Sequence, residues 1–191
     1  MPTEKIKRSY RKTRYILYKE TLIDYKEHFW SFLGSFVGIG ILAYLESSQF
    51  TGSDVVYLIG SFGASSVLIY GIIQSPFSQP RNLIGGHLIS AFIGVTVNKL
   101  VPDIVWITAP LAVSLSIIFM QITKTLHPPG GATALIAVTG SAQIKGLGYM
   151  YVISPVLVGV LILFVIALIF NNITSSRSYP SHSTYHKHYH K

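Results

Sequence analysis

Long apolar stretches alternate with short polar segments along most of this chain. A further apolar run, residues 131–140, is too short for an ordinary membrane span and suits a half-helix or a re-entrant segment. The other apolar stretches approach the roughly 20 residues that a spanning helix needs, and they cover residues 29–45, 55–74, 83–101, 104–123 and 149–171. The pattern predicts an all-α polytopic transmembrane helix bundle with five to six membrane segments, at least one of them a broken or half-helix.

Composition agrees with a membrane protein and narrows the possible functions. Half of the 191 residues are hydrophobic and only 12% are charged. The net charge is +8, but most basic residues precede the first span, so the positive-inside rule accounts for them and we expect no nucleic-acid partner. The chain has no cysteine, which excludes disulfides and thiolate metal sites. No metalloprotease, Walker-type or dinucleotide-binding motif is present, so we expect no cofactor and no enzymatic activity.

Charge patterning divides the chain into three regions. Residues 1–28 form a basic cytoplasmic tail, which is either an interfacial helix in its second half or a partly ordered segment. Residues 29–173 form the transmembrane domain, and residues 174–191 form a polar tail rich in Ser, Tyr and His. The tail histidines are either solvated or ligands for a transition metal. They are His182, His186, His188 and His190.

Basic residues in the loops predict the orientation. The positive-inside rule predicts a multi-pass protein of the cell membrane with its N-terminus in the cytoplasm, on the same side as Arg81 and Lys124. Lys99, in an outside loop, departs from that rule. The side of the C-terminus depends on residues 131–140, because a crossing puts it inside and a re-entrant loop puts it outside. We favour the crossing.

The stretch Leu126–Leu135 interrupts the apolar pattern most strongly. It reads LHPPGGATAL, and its two prolines lack backbone N–H groups while its glycines favour non-helical angles. Broken backbone at membrane depth is tolerated only where protein or a water-filled cavity satisfies it. This stretch is therefore our first candidate for a permeation or binding site.

An earlier segment echoes this stretch. Residues 63–68 read GASSVL and residues 131–136 read GATALI, and each segment lies between two apolar spans. The echo suggests two repeats, residues 29–101 and 104–171, each with a helix, a Gly-broken short or discontinuous helix, and a second helix. Three crossings in each repeat would place the two halves in opposite orientation, as in many transporters. Small residues also recur in membrane helices for packing reasons alone, so chance remains an equal explanation.

The chemistry of these segments favours a small anion. A helix that starts at a glycine-rich break presents unpaired N–H groups and a partial positive charge. No acidic residue lies within an apolar segment, whereas cation pathways usually need an intramembrane carboxylate. The predicted substrate-pathway residues are Gly63, Ser65, Ser66, His127, Gly130, Gly131 and Thr133.

Two histidines and two basic residues complete the candidate site. His127 either titrates or donates to the solute, or it bonds a carbonyl group freed by the prolines. His87 lies near the predicted cytoplasmic start of a span, and with Arg81 and Lys124 it forms a predicted electropositive vestibule. The alternatives are interfacial placement or helix packing for His87 and a positive-inside anchor for Arg81.

Three stretches together resemble the HPP family of integral membrane proteins, named for the His-Pro-Pro tripeptide. They are residues 60–66, residues 75–87 and residues 126–134. The resemblance implies a transmembrane domain over about residues 29–171, and it implies nitrite as a substrate, because plant and cyanobacterial members are implicated in nitrite transport. We expect neither the long targeting extension of the plant members nor the soluble regulatory domain of some bacterial members.

The sequence thus predicts a transporter or channel for a small monovalent anion, most of all nitrite. The alternative is a non-transporting membrane scaffold or a metal-responsive sensor of the same family. The expected partners are the lipid bilayer and a small inorganic anion, with a homo-oligomer left open. We expect no metal within the transmembrane domain.

Overall fold

The structure, a computed structural model, describes residues 25–49 and 56–181. Most of the predicted N-terminal interfacial helix lies outside the described residues, and so do the four tail histidines. The described part consists of helices and connecting turns, without any strand. The helices are α1 (Tyr25–Gln49), α2 (Gly60–Ser66), α3 (Pro80–Leu100), α4 (Val105–Ile122), α5 (Pro128–Thr139), α6 (Ala142–Gly146) and α7 (Val158–Phe170).

Four of these elements are long and apolar enough to cross a membrane. They are α1, α3, α4 and the stretch Val152–Phe170, in which a π-helical turn (Val152–Leu157) leads into α7. Pro155 lies inside this turn, and the preceding Ser154 has non-helical angles, so the segment is kinked at this point. The predicted all-α membrane bundle is confirmed.

One predicted span is shorter than expected. Hydropathy alone predicts a full-length span over residues 55–74, whereas the repeat hypothesis predicts a Gly-broken short or discontinuous helix there. In the structure, α2 and a following π-helical turn (Val67–Gly71) cover only residues 60–71. Ile72 leaves the helical region, and Ser75 is extended because it precedes Pro76. In the described part of the chain, the short α2 therefore lies between α1 and α3, and α5 lies between α4 and the stretch Val152–Phe170. This order agrees with the predicted repeat, and the inverted relation of the halves stays a prediction.

The chain enters α1 and leaves α7 at the same end of the bundle, which we call the terminal face. Arg177, after α7, donates to the carbonyl of Glu27 in the first turn of α1 at 3.2 Å. Tyr179 donates to the carbonyl of Ser78, just before α3, at 2.7 Å. These contacts place the start of α1, the start of α3 and the end of α7 together.

The opposite end, which we call the loop face, holds the other connections. Glu46 near the end of α1 accepts from the N–H of Val56, before α2, at 2.9 Å. Lys145 in α6 forms an ion pair with Asp103, between α3 and α4, at 2.9 Å. Since α5 begins near the terminal face, where Asn82 donates to the carbonyl of Leu126, and is followed by α6 at the loop face, the short α5 connects the two faces. This agrees with the favoured crossing.

Arg177 ties the C-terminal segment to the bundle. Its side chain is buried and donates to the carbonyl of Tyr70 at 2.8 Å and to Asn171 Oδ1 at 2.8 Å. It also pairs with the carboxylate of Glu27 at 3.2 Å. Burial lowers the pKa of the guanidinium and the Glu27 carboxylate opposes that shift, and arginine ordinarily titrates so high that the group stays charged. Arg177 therefore joins the π-helical turn Val67–Gly71, through the carbonyl of Tyr70, to the first turn of α1 and to the end of α7.

Glycines allow α3 and α5 to approach closely at the centre of the bundle. A Cβ atom added at Gly94 in α3 would lie 2.7 Å from the carbonyl oxygen of Ala134 and 2.8 Å from the Cβ of Ala137. A Cβ at Gly130 would lie 2.8 Å from Ser90 Oγ and 2.9 Å from the carbonyl oxygen of Gly86. Small residues at such crossings are typical of membrane helix packing.

We expect Gly94→Ala to destabilise the protein by about 1–3 kcal/mol, because the added methyl group overpacks the contact with α5. Gly40→Ala in α1 is the matched control, since a Cβ there meets nothing within 4 Å, and it should leave stability unchanged or slightly raised. Thermal unfolding of both variants in the same detergent gives the comparison. Equal melting temperatures would contradict the proposed packing.

Candidate functional site

Polar side chains from separate membrane segments meet inside the bundle. Ser65 Oγ lies 2.7 Å from His87 Nε2 and 2.9 Å from His127 Nε2. His87 Nδ1 lies 2.7 Å from Thr133 Oγ1. The two imidazole rings are 4.9 Å apart between centroids. We call these four residues, which are all completely buried, the His–Ser network.

Local sequence explains why these groups meet. His127 precedes two prolines and adopts the extended conformation that a proline imposes on its predecessor, so its side chain stands at the N-cap of α5. Gly86 in α3 leaves room for His127, because a Cβ at Gly86 would collide with the Cβ of His127. Ser65 lies in the last turn before the π-helical turn Val67–Gly71. Because α2 ends early and α5 begins at the proline pair, the side chains of Ser65 and His127 lie against α3, where continuous helices would not place them.

Hydrogen-bond chemistry fixes the direction of every bond when both histidines are neutral. His127 Nδ1 lies 2.8 Å from the carbonyl oxygen of Phe77, which only accepts, so this nitrogen carries the proton and Nε2 is bare. Ser65 must then donate its hydroxyl proton to His127 Nε2. His87 in turn donates from Nε2 to Ser65, and its bare Nδ1 accepts from Thr133. The network is a single directed chain from Thr133 to Phe77.

Apolar and aromatic groups enclose the network. The ring of Phe62 packs edge-on against His87, with 5.6 Å between centroids. Tyr151, before the kinked segment, donates to the carbonyl oxygen of Thr133 at 3.1 Å. Phe62 and Tyr151 are themselves buried. These walls exclude water from the network, so its hydrogen bonds have no solvent competitor.

A groove reaches the first glycine motif from the side. It lies between α1 and α2, has a volume of about 550 Å³, and includes Gly63 and Ser66 in its lining. Most of its lining is apolar, including Phe32 and Phe36. The Ser66 hydroxyl is buried and has no hydrogen-bond partner among the described residues. Ser66 and Gly63 therefore face the groove, whereas the neighbouring Ser65 faces the network.

The second glycine motif differs from the prediction in one respect. The start of this helix was expected to present unpaired N–H groups, but the N–H of Gly130 donates to the carbonyl of His127 at 2.8 Å, and the Cα of Gly130 packs against α3. Pro128 and Pro129 have no N–H to offer. Gly131 is half-exposed, and the nearest side-chain atom that a Cβ there would meet is Val113 Cγ1 at 3.8 Å. The polar chemistry of the motif comes from Thr133 rather than from the helix terminus.

His87 also lies elsewhere than predicted. It was expected in a vestibule with Arg81 and Lys124, but it is completely buried in the His–Ser network. Arg81 and Lys124 are exposed together at the terminal face, where Arg81 donates to the carbonyl of Thr123 at 2.7 Å. The sequence did carry a signal for the burial of His87, because His87, Ser90 and Gly94 share one helix face at spacings of three and four residues.

This architecture defines a polytopic helical membrane protein with a polar network inside its bundle. The transmembrane region of the HPP family matches residues 20–180, and the chain belongs to that family. It is 45% and 44% identical over 163 residues to two proteins of Dictyostelium discoideum that are named transmembrane proteins. Each match covers 82% of this chain but only 56% or 51% of the relative, so the chain spans about half the length of these curated relatives. No solved structure matches it.

Proposed function

We propose that this protein is a transporter or channel for a small monovalent anion, with nitrite as the leading candidate. The observation that carries the proposal is the His–Ser network itself, because buried ionisable side chains inside a membrane helix bundle are costly and are retained mostly for function. Its side chains are hydroxyls and imidazoles, all of which can donate hydrogen bonds. Nitrite carries one negative charge and offers acceptor oxygens of the size that such donors suit.

The distribution of charge supports an anion over a cation. Among the described residues, the acidic side chains Glu27, Glu46 and Asp103 all lie at the faces of the bundle. The terminal face carries Arg81 and Lys124, which raise the local concentration of anions. The same basic excess suggests that the terminal face is cytoplasmic. The choice of nitrite rests on the family resemblance.

The first glycine motif supplies a candidate route to the network. Ser66 faces the groove between α1 and α2, and its neighbour Ser65 faces the histidines. A modest movement of α2, which is joined to α3 by residues 72–79 with a single 3-10 turn (Pro76–Ser78), would open the network toward that groove. We propose transport rather than catalysis, because the orienting partner of His127 is a backbone carbonyl and not the carboxylate of a hydrolytic triad.

A second candidate is a non-transporting scaffold. It is favoured by the complete burial of the network residues, since a scaffold needs no cavity at its polar core. In that case the hydrogen bonds would serve only to hold α2, α3 and α5 together. Protein-dependent flux separates the two candidates, because a scaffold has none.

We expect Ser65→Ala to lower nitrite uptake into proteoliposomes at least about tenfold. The change leaves His127 Nε2 and His87 N–H without their partner, and an unpaired buried group costs about 1–3 kcal/mol, where 1.4 kcal/mol equals a factor of ten. The matched control is Ser47→Ala in α1, whose hydroxyl is exposed and bonds only to the carbonyl of Tyr44. Equal uptake by both variants would remove Ser65 from the pathway, and uptake no faster than in protein-free liposomes would favour the scaffold.

A further inference from the structure

We propose that the His–Ser network takes up one proton for each anion that passes, so that the protein is an electroneutral proton–anion cotransporter. This inference rests on the proposed anion transport and adds the coupling ion. The geometry of the hydrogen bonds supports it, because the network has two protonation states in which every donor and every acceptor nitrogen is paired.

The first state is neutral. In it, each hydrogen bond of the chain from Thr133 to Phe77 holds one proton, and every donor and acceptor nitrogen is used. The direction of the chain is unique, because the carbonyl of Phe77 accepts only. The empty network therefore carries no charge.

The second state holds one additional proton without leaving any group unpaired. Thr133 Oγ1 lies 3.4 Å from the carbonyl oxygen of Pro129, one helical turn earlier. If a proton binds His87 Nδ1, the Thr133 hydroxyl rotates to donate to Pro129 and accepts from the new N–H. One N–H bond forms and none breaks, and His87 becomes a singly charged imidazolium.

The charge then has a path through the network. His87 passes its Nε2 proton to Ser65, and Ser65 passes its own hydroxyl proton to His127 Nε2. His87 is left neutral with its proton on Nδ1, Ser65 is again a hydroxyl, and His127 carries the charge. Both transfers run along hydrogen bonds of 2.7–2.9 Å, so no side chain has to move.

The surroundings offer no fixed counter-charge to this proton. Among the described residues, the polar contacts of the network on α2, α3, α5 and the turn Pro76–Ser78 are the two histidines, hydroxyls and backbone carbonyls. Toward α7 the titratable neighbour is the neutral phenol of Tyr151, which bonds the carbonyl of Thr133. Arg81 at the start of α3 is exposed and directed to Thr123. A monovalent anion is then the partner that neutralises the protonated network, which couples the two ions.

The test uses the purified full chain in liposomes that contain a pH-sensitive dye, with initial nitrite uptake and internal acidification recorded together and the protein-free rates subtracted. We expect one proton to enter with each nitrite, and we expect the rate to be insensitive to a membrane potential imposed with potassium and valinomycin. Protein-dependent nitrite uptake that follows the potential and carries no proton would overturn the inference while leaving the proposed transport intact. Absence of any protein-dependent uptake of nitrite, nitrate, formate or chloride would remove both.

Variants at Thr133 test the second protonation state directly. Thr133→Val removes the hydroxyl that serves both His87 and Pro129, and we expect coupled uptake to fall at least tenfold, whereas Thr133→Ser should restore it. Thr139→Val is the matched control on the same helix, because its hydroxyl bonds only to the carbonyl of Leu135 and is exposed. Full proton-coupled uptake by folded Thr133→Val would overturn the inference, and so would failure of Thr133→Ser to retain it.

Discussion

The His127→Asn variant is expected to fold but to lose most of its anion uptake, by about 10- to 100-fold. The asparagine amide nitrogen takes the place of Nδ1, so the bond to the carbonyl of Phe77 is kept. The shorter side chain cannot reach Ser65, so the contact at Nε2 is lost. A hydrogen bond to a charged group contributes about 1.5–3 kcal/mol. Since about 1.4 kcal/mol equals a factor of ten, this energy corresponds to the expected loss of uptake.

Initial rates of nitrite uptake at several pH values, beside thermal unfolding, measure this effect. His28→Asn provides the control, because His28 is exposed near the start of α1. If His127→Asn transports like the control at every pH, then His127 serves only to anchor the proline-rich turn.

Replacing Arg177 with methionine is expected to destabilise the protein by about 3 kcal/mol. Methionine fills a similar volume but removes the hydrogen bonds to Tyr70 and Asn171 and the Arg177–Glu27 ion pair. Loss of one partner from a buried charged network is strongly destabilising. Lys145→Met is the control, because its ion pair with Asp103 is exposed and such pairs contribute about 0–1 kcal/mol.

Chemical denaturation and limited proteolysis of both variants test this expectation. We expect Arg177→Met to release residues 171–181 to protease while Lys145→Met resists digestion as the native protein does. Similar stability of the two variants would show that the C-terminal segment is held by its apolar contacts and by Tyr179 rather than by Arg177.

The bundle was predictable from sequence because membrane-spanning helices are recognised by apolar length alone. The shortening of residues 55–74 did not follow from hydropathy, since those residues are apolar enough to continue the helix and are interrupted by Ile72 and the turn before Pro76. Only the repeat hypothesis predicted a short helix there. The broken start of α5 was predictable, because two prolines and two glycines in a row admit few other structures.

The site was predictable only where its residue types are unusual for a membrane. His127, Ser65 and Thr133 were singled out on that ground, and the structure joins them through His87. The predicted vestibule position of His87 was wrong. The sequence separation of His87 from Arg81 gives its position along α3, but it does not reveal the side chains that bury it. The carbonyl of Phe77 and the hydroxyl of Tyr151 were missed, because main-chain contacts depend on the folded arrangement of distant segments.

The imidazole ¹⁵N NMR spectrum of the protein in lipid bilayers, recorded during a nitrite titration, tests the central claim most directly. Without nitrite, we expect His127 to carry its proton on Nδ1 and His87 on Nε2. Saturating nitrite should shift the signals of both rings toward the protonated form and leave the exposed His28 unchanged. Signals of His87 and His127 that do not respond to nitrite, nitrate, formate or chloride would contradict the assignment of the His–Ser network to anion transport.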